Sequence, residues 1–192
     1  MEFAELLRAR RMVRNFDARP VDPEVRDRIL AAGLRGPSAG FTQGVDLVVL
    51  EGPAQTGRYW DAALPQAGRD AFPWPGLLRA PLLVVVVSSE DAYRRRYAEP
   101  DKGGPDFDVP WWHVDAAFAA LLLQLAAVDA GLGALFFRSH RPGAVGAALD
   151  IPAGHAPVGT VALGHPGTDR PSSSVSARGR RPLTEVLHRG RW

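Results

Sequence analysis

Apolar positions recur along this chain in two periods, and the switches between them divide it into elements. From Glu2 to about Arg10, Phe3, Leu6 and Leu7 fall at helical spacing. A second helix is better marked: Asp22 can accept hydrogen bonds from the first free amides, and Pro23 suits the first helical position. Val25, Ile29 and Ala32 then share one face until the breakers from Gly33 to Gly40. Val45–Glu51 reads as a strand, residues 54–64 as a helix, and a loop rich in proline and aromatics runs on through Pro75. Leu82–Ser88 is the clearest strand, and its unbroken β-branched run predicts burial on both faces. Glu90–Tyr97 is a short charged helix, followed by a Pro/Gly/Asp loop to Pro110.

A long helix follows from about Trp111 to Ala130, apolar on almost every side, as expected of a core helix or a subunit interface. Ala134–Arg138 and Val158–Gly164 read as strands, Pro142–Leu149 as a short helix, and a Ser/Arg/Pro-rich tail runs to Trp192. Helices and strands mix without strict alternation, which predicts an α+β fold with helices packed on a small sheet. No repeat or linker divides the chain, so residues 1–192 are expected to form one domain.

Composition narrows the chemistry. With 46% hydrophobic and 23% charged residues the chain is globular, and its net charge of +2 is too small to mark a nucleic-acid binder. There is no cysteine, which excludes disulfides, thiol nucleophiles and cysteine-ligated metals. The N-terminus carries Glu2 and Glu5 rather than a signal-peptide pattern. The apolar stretch Ala116–Val128 falls short of the roughly 20 residues a bilayer span needs. A soluble cytoplasmic protein without membrane or nucleic-acid partners is the expectation.

Several motifs fail on context. Gly131-Leu132-Gly133 closes a helix and enters a strand, the reverse of a dinucleotide fingerprint, and Phe136 stands where its third glycine would be. The single lysine, Lys102, is not in a phosphate-binding loop, and the five histidines show no metal-binding spacing, so no metal is expected. Gly36-Pro37-Ser38-Ala39-Gly40 satisfies the GxSxG pattern of a hydrolase, with Asp150 and His155 in triad order. That elbow needs a strand before the serine and a helix after it; here the order is inverted. A helix cap and loop is the plain alternative.

Arginines carry more information. Arg10, Arg11 and Arg14 sit where the first helix ends, and Arg178, Arg180 and Arg181 lie in the tail. Clustered guanidiniums grip phosphate oxygens, though a solvated basic surface fits equally well. Arg94-Arg95-Arg96, three consecutive residues on a helix, suits such a surface better.

Five segments in order resemble the FMN-dependent nitroreductase family. Arg10-Arg11-Met12-Val13-Arg14-Asn15-Phe16 is similar to its opening motif, and Gly36 to Gln43 to its Pro-Ser motif with a glutamine five residues on. Gly131-Leu132-Gly133-Ala134, Val161 to Pro166, and Arg178-Gly179-Arg180-Arg181-Pro182-Leu183 resemble the rest. The resemblance implies a nitroreductase-like α+β fold, a mixed central sheet flanked by helices. It further implies a homodimer whose C-terminal tail reaches the partner subunit, with FMN at the interface and NAD(P)H as reductant.

By the same resemblance FMN is contacted by Arg10, Arg11, Met12 and Arg14, with Arg14 near the pyrimidine side of the ring. Pro37, Ser38, Ala39, Gly40 and Gln43 would line the flavin edge from the neighbouring subunit. Phe136, Phe137, Arg138 and Ser139 would run beside the ring, and Arg178 with Arg180 would close on the phosphate. No catalytic side chain is implied. Gly131 and Gly133 suit either close approach to a flat ring or helix capping, and Trp111, Trp112 and His113 either a substrate wall or packing at a helix start. The chain departs from the family pattern at Met12, where a serine is common, at Phe41 for asparagine and at Arg138 for glutamate. Phe41 and the tail also resemble the flavin-cleaving dimethylbenzimidazole synthase branch. The expected function is transfer of hydride equivalents to an electron-poor small molecule, a nitroaromatic, quinone or similar. The alternatives are flavin sequestration without turnover and flavin fragmentation.

Overall fold

The apolar run Leu82–Ser88 becomes β2, the inner strand against which the rest of the sheet is built. A computed structural model describes residues 1–169 and 177–192. Its strands are β1 (Val45–Glu51), β2 (Leu82–Ser88), β3 (Gly133–Phe137) and β4 (Ala156–Gly164), in the order β1-β2-β4-β3. All neighbouring strands are antiparallel; the mixed character expected of the sheet is confined to a parallel bridge between Met12 and Ala134.

Every residue of β2 is buried because helices cover both faces. Leu82, Val84 and Val86 point toward α2 (Pro23–Gly33) and α6 (Trp111–Asp129), where they join Ile29, Ala120 and Leu123. Leu83, Val85 and Val87 point the other way, toward α3 (Gly52–Ala63) and α7 (Pro142–Ala148), and meet Tyr59, Trp60 and Val145. A continuous apolar strand thus reports two-sided cover, here in an antiparallel sheet.

Local signals explain the helix boundaries. The Asp22 carboxylate accepts from the Glu24 and Val25 amides at 2.9 and 3.2 Å and so starts α2. Ser89 caps α5 (Glu90–Tyr97), its hydroxyl accepting from the Ala92 amide. The capping alternative holds for Gly131, which ends α6 at φ +75° with its amide donating to Val128 O. At Gly133 the close neighbour is Val13: an added Cβ would sit 3.0 Å from its side chain. At 19 residues α6 is long and apolar enough by composition to cross a membrane, yet Ala116, Ala120, Leu123 and Ala127 are packed into the core.

The segment after α1 (Phe3–Ala9) positions the first arginine motif. Val13 donates to Ala134 O at 3.0 Å, and Phe16, fully buried, bridges Pro166. Residues 12–16 therefore run along the β3 edge and across the end of β4. The loop expected through Pro75 contains a short helix α4 (Gln66–Arg69), and a 3-10 turn at Pro75–Arg79 follows it. Residues 177–192 are all exposed and include a final turn, α8 (Leu183–Val186).

Candidate functional site

Backbone pairing at the β3 edge brings together residues that lie far apart in sequence. Val13 faces inward, so its neighbour Arg14 projects beside the end of β3. The Arg14 amide donates to Asp169 Oδ2 at 2.8 Å, its Nη1 donates to Met12 O at 3.2 Å, and its guanidinium lies 5.2 Å from the Trp74 ring centroid. There it lines a cavity of about 290 Å³ together with Phe136, Phe137, Arg138 and Ser139. Two groups of candidate residues thus converge.

Aromatic rings make the walls. Trp60 and Phe137 stack almost parallel, 5.6 Å between centroids at 4°, and the buried Tyr59 meets both edge-on. Phe72 and Trp74 line the cavity as well. The Tyr59 hydroxyl accepts from Thr160 Oγ1 at 2.9 Å, and burial pushes its pKa up to about 12. It is therefore neutral, and it stands behind the Trp60–Phe137 pair rather than lining the cavity.

Two donors of the residues lining this cavity lack partners among the described residues. The indole N–H of Trp60 is buried without an acceptor, and Arg138 makes no hydrogen bond or ion pair among the described residues. Ser139 is engaged, its hydroxyl accepting from the Arg141 amide at 3.0 Å. No carboxylate lines the cavity among the described residues.

A second cavity, of about 220 Å³, lies against α6 and is lined by Pro37, Ser38, Phe41, Gln43 and Asp115 among others. Here the polar groups are matched to one another. Buried Asp115 Oδ2 accepts from Tyr93 O–H at 2.7 Å and from the Ala39 amide at 2.8 Å. Ser38 Oγ accepts from the Gln43 amide at 2.9 Å, and Gly40 O accepts from Arg96 Nε at 2.9 Å. Burial, followed by the Asp115 carboxylate, pushes the Tyr93 hydroxyl well above its ordinary range. Gly40 takes a left-handed φ of +62° within the 3-10 turn Ala39–Phe41, as do Phe41 and Gln43 near it. The hydrolase reading fails here: Ser38 follows a helix, and His155 lies near Asp46 instead, 3.8 Å from its carboxylate.

The candidate residues do not all meet in one chain. Arg14, Phe136, Phe137, Arg138 and Ser139 share the first cavity, with Met12 bonded into the adjoining edge. Arg10 and Arg11 follow α1 without lining it, and their guanidiniums have no partners among the described residues. Pro37, Ser38 and Gln43 line the second cavity, with Ala39 and Gly40 in the same turn. Arg178 and Arg180 are exposed in the tail, while residues 170–176 of that tail lie outside the described residues. Trp112 packs near Tyr93 and Phe107, and with His113 lines a different cavity.

Sequence reasoning missed Trp60, Phe72 and Trp74, although the cluster Phe72-Pro73-Trp74-Pro75 was an available signal. It also passed over Asp115, whose charge in an otherwise apolar helix marks a buried acceptor.

Compared with models of known families, residues 7–165 match the nitroreductase family. The chain belongs to the nitroreductase family. That membership gives the coarse class of oxidoreductase, and solved structures agree in fold. A nitroreductase family protein of Clostridium difficile 630 superposes with a TM-score of 0.79 at 21% identity, covering 100% of both chains. A candidate NADH oxidase of Clostridium acetobutylicum gives 0.73 at 20% identity, covering 97% of this chain and 99% of that one. A candidate nitroreductase of Desulfovibrio desulfuricans in complex with FMN gives 0.72 at 24% identity, covering 97% and 95%.

Proposed function

We propose that this nitroreductase family member binds FMN, takes reducing equivalents from NAD(P)H, and passes them to an electron-poor small molecule such as a nitroaromatic or quinone. The observation that carries this reading is the meeting of Arg14 with Phe136–Ser139 at one aromatic-walled cavity. The residues there suit a flavin. Aromatic walls accept a flat ring, and the Arg14 guanidinium offers positive charge to an electron-rich one. Arg10 and Arg11, on the segment that carries Arg14, are unpaired cations suited to a phosphate, as are Arg178 and Arg180 in the tail. FMN, when bound, supplies the hydride chemistry; the protein holds it, excludes water and stacks the acceptor, with no side-chain acid or base required.

The active form in this reading is a homodimer. Leu34, Phe41, Phe118 and Leu121 leave apolar surface open on and beside α6, with Phe41 76% exposed. The Ser38–Gln43 turn lies on that side, and a second copy would bring it to the partner's flavin. The exposed tail, with Leu183 74% and Trp192 99% exposed, suits an arm that reaches the partner. A cytoplasmic location follows from the proposed nicotinamide dependence.

The test is spectroscopic. The purified protein should carry visible flavin absorbance, or acquire it on adding FMN, and anaerobic NADH or NADPH should bleach it. A protein that stays colourless with FMN overturns the reading. Bound FMN that neither nicotinamide reduces would favour sequestration without turnover.

A further inference from the structure

The charge around the first cavity is one-sided in a way that flavin binding does not require. Among the described residues its lining includes Arg14 and Arg138 and no carboxylate. Acids close by are committed elsewhere. Asp61, beside Trp60, is paired with Arg69 at 2.6 Å, and Asp169 receives the Arg14 backbone amide. Arg14 itself is engaged by Met12 O and by the Trp74 ring. Arg138 at the mouth is different: exposed, unpaired, and next to the stacked Trp60–Phe137 wall.

An unpaired guanidinium beside an aromatic slot is a recognition pattern. The planar fork takes a carboxylate or sulfonate through two parallel N–H···O bonds, while the rings hold an aromatic body at low entropic cost. We propose that the acceptor is an anionic aromatic molecule, its ring stacked on the bound flavin at this cavity and its carboxylate or sulfonate gripped by Arg138. This rests on the flavin reading above and narrows its substrate class. For a nitroarene the step balances as follows: hydride from NAD(P)H, relayed through the flavin, and one solvent proton convert Ar–NO2 to Ar–NO and water, leaving NAD(P)+.

Matched probes test it: 4-nitrobenzoate against the neutral 4-nitrobenzamide, with the cation (4-nitrobenzyl)trimethylammonium as third arm. Binding to the oxidised protein is read by quenching of tryptophan fluorescence, independently of turnover, and kcat/KM is read alongside. Wild type should bind 4-nitrobenzoate about tenfold tighter than the amide, the scale of one charge-assisted hydrogen bond, with the preference shrinking in added salt. Arg138→Ala should erase the preference, Arg138→Lys should keep part of it, and Arg138→Glu should turn it toward the cation. Equal binding of the benzoate and amide by wild type overturns the proposal, as does a benzoate preference that survives in Arg138→Glu. FMN content is measured separately for each variant. Charge preference in a protein that takes up no FMN would uphold the anion site and sink the flavin reading; bound FMN without charge preference would do the reverse.

Discussion

The two cavities differ in how completely their polar groups are matched. At the turn against α6 each described polar contact is internal: Asp115 serves Tyr93 and Ala39, Ser38 serves Gln43, and Arg96 serves Gly40. At the end of β3, the Trp60 N–H is buried without an acceptor and Arg138 stands unpaired. A matched set fixes a backbone shape, because a ligand would have to displace bonds already made. The exposed Arg138 guanidinium holds binding capacity in reserve, since a ligand anion there displaces water rather than bonds already made within the chain. The first cavity is thus suited to hold a ligand and the second to present a shaped turn.

The harshest test of that contrast removes the acceptor on which the turn depends. Asp115→Ala leaves the Tyr93 hydroxyl and the Ala39 amide without partners in a buried place, and should cost about 3 kcal/mol. For a chain of this size that lowers Tm by on the order of 10 °C. Asp115→Asn, which keeps an accepting oxygen in nearly the same shape, should lose clearly less. If both variants melt like wild type, the matched network does not hold the turn.

Alkaline titration separates the regions by their tyrosines. Tyr59 stands behind the ligand cavity, with its pKa raised from 10 to about 12 by burial. The folded protein thus holds this proton more tightly than the unfolded chain. The associated stability is fully present below pH 10 and is lost as pH rises toward 12, about 3 kcal/mol in all. Tyr93, raised for the same reason and further by Asp115, adds to the same limb. Chemical unfolding at increasing pH should show the decline, Tyr59→Phe should flatten part of it, and the further change Tyr93→Phe most of the remainder. A limb unchanged by both substitutions would mean that other groups govern alkaline stability.

Gly44→Ala tests how tightly the turn is packed. An added Cβ would lie 2.6 Å from the Tyr93 ring, so the ring that donates to Asp115 must shift. Overpacking of this kind costs about 1–3 kcal/mol, read as a lower Tm. Gly52→Ala is a poor control despite its open surroundings, because its φ of +69° strains any side chain. Gly57→Ala is the better one, lying in helix α3 with nothing within 4 Å, and should be neutral or mildly stabilising. Comparable losses in Gly44→Ala and Gly57→Ala would remove the packing argument.

Much of the fold was legible because strong local signals agreed with tertiary packing. The limits of β1, β2 and α5 follow from β-branched runs and the Ser89 cap, and Asp22 with Pro23 marks the start of α2. The short helix at Gln66–Arg69 and the turn at Pro75–Arg79 were not legible, since so few residues have no period of their own. Their order comes from contacts that sequence does not display, such as Arg69 bonding Leu64 O and Asp61, and Leu77 entering the core. The site divides similarly. The family resemblance pointed to Arg14 and Phe136–Ser139, but Trp60 reaches that cavity only through the packing of α3 on the sheet.

The smallest expected effect is the most telling for the cavity at β3. Arg138 is exposed, touches no described partner, and follows the last residue of the strand, so no described residue depends on its guanidinium. Arg138→Ala should change stability by less than about 0.5 kcal/mol and leave Tm nearly unmoved. Asp115→Ala would then lose much stability from the matched region, while Arg138→Ala would lose almost none from the unmatched one. A drop in Tm comparable to that of Asp115→Ala would show that Arg138 serves the fold, and the distinction between a shaped turn and a reserved binding surface would fail at that residue.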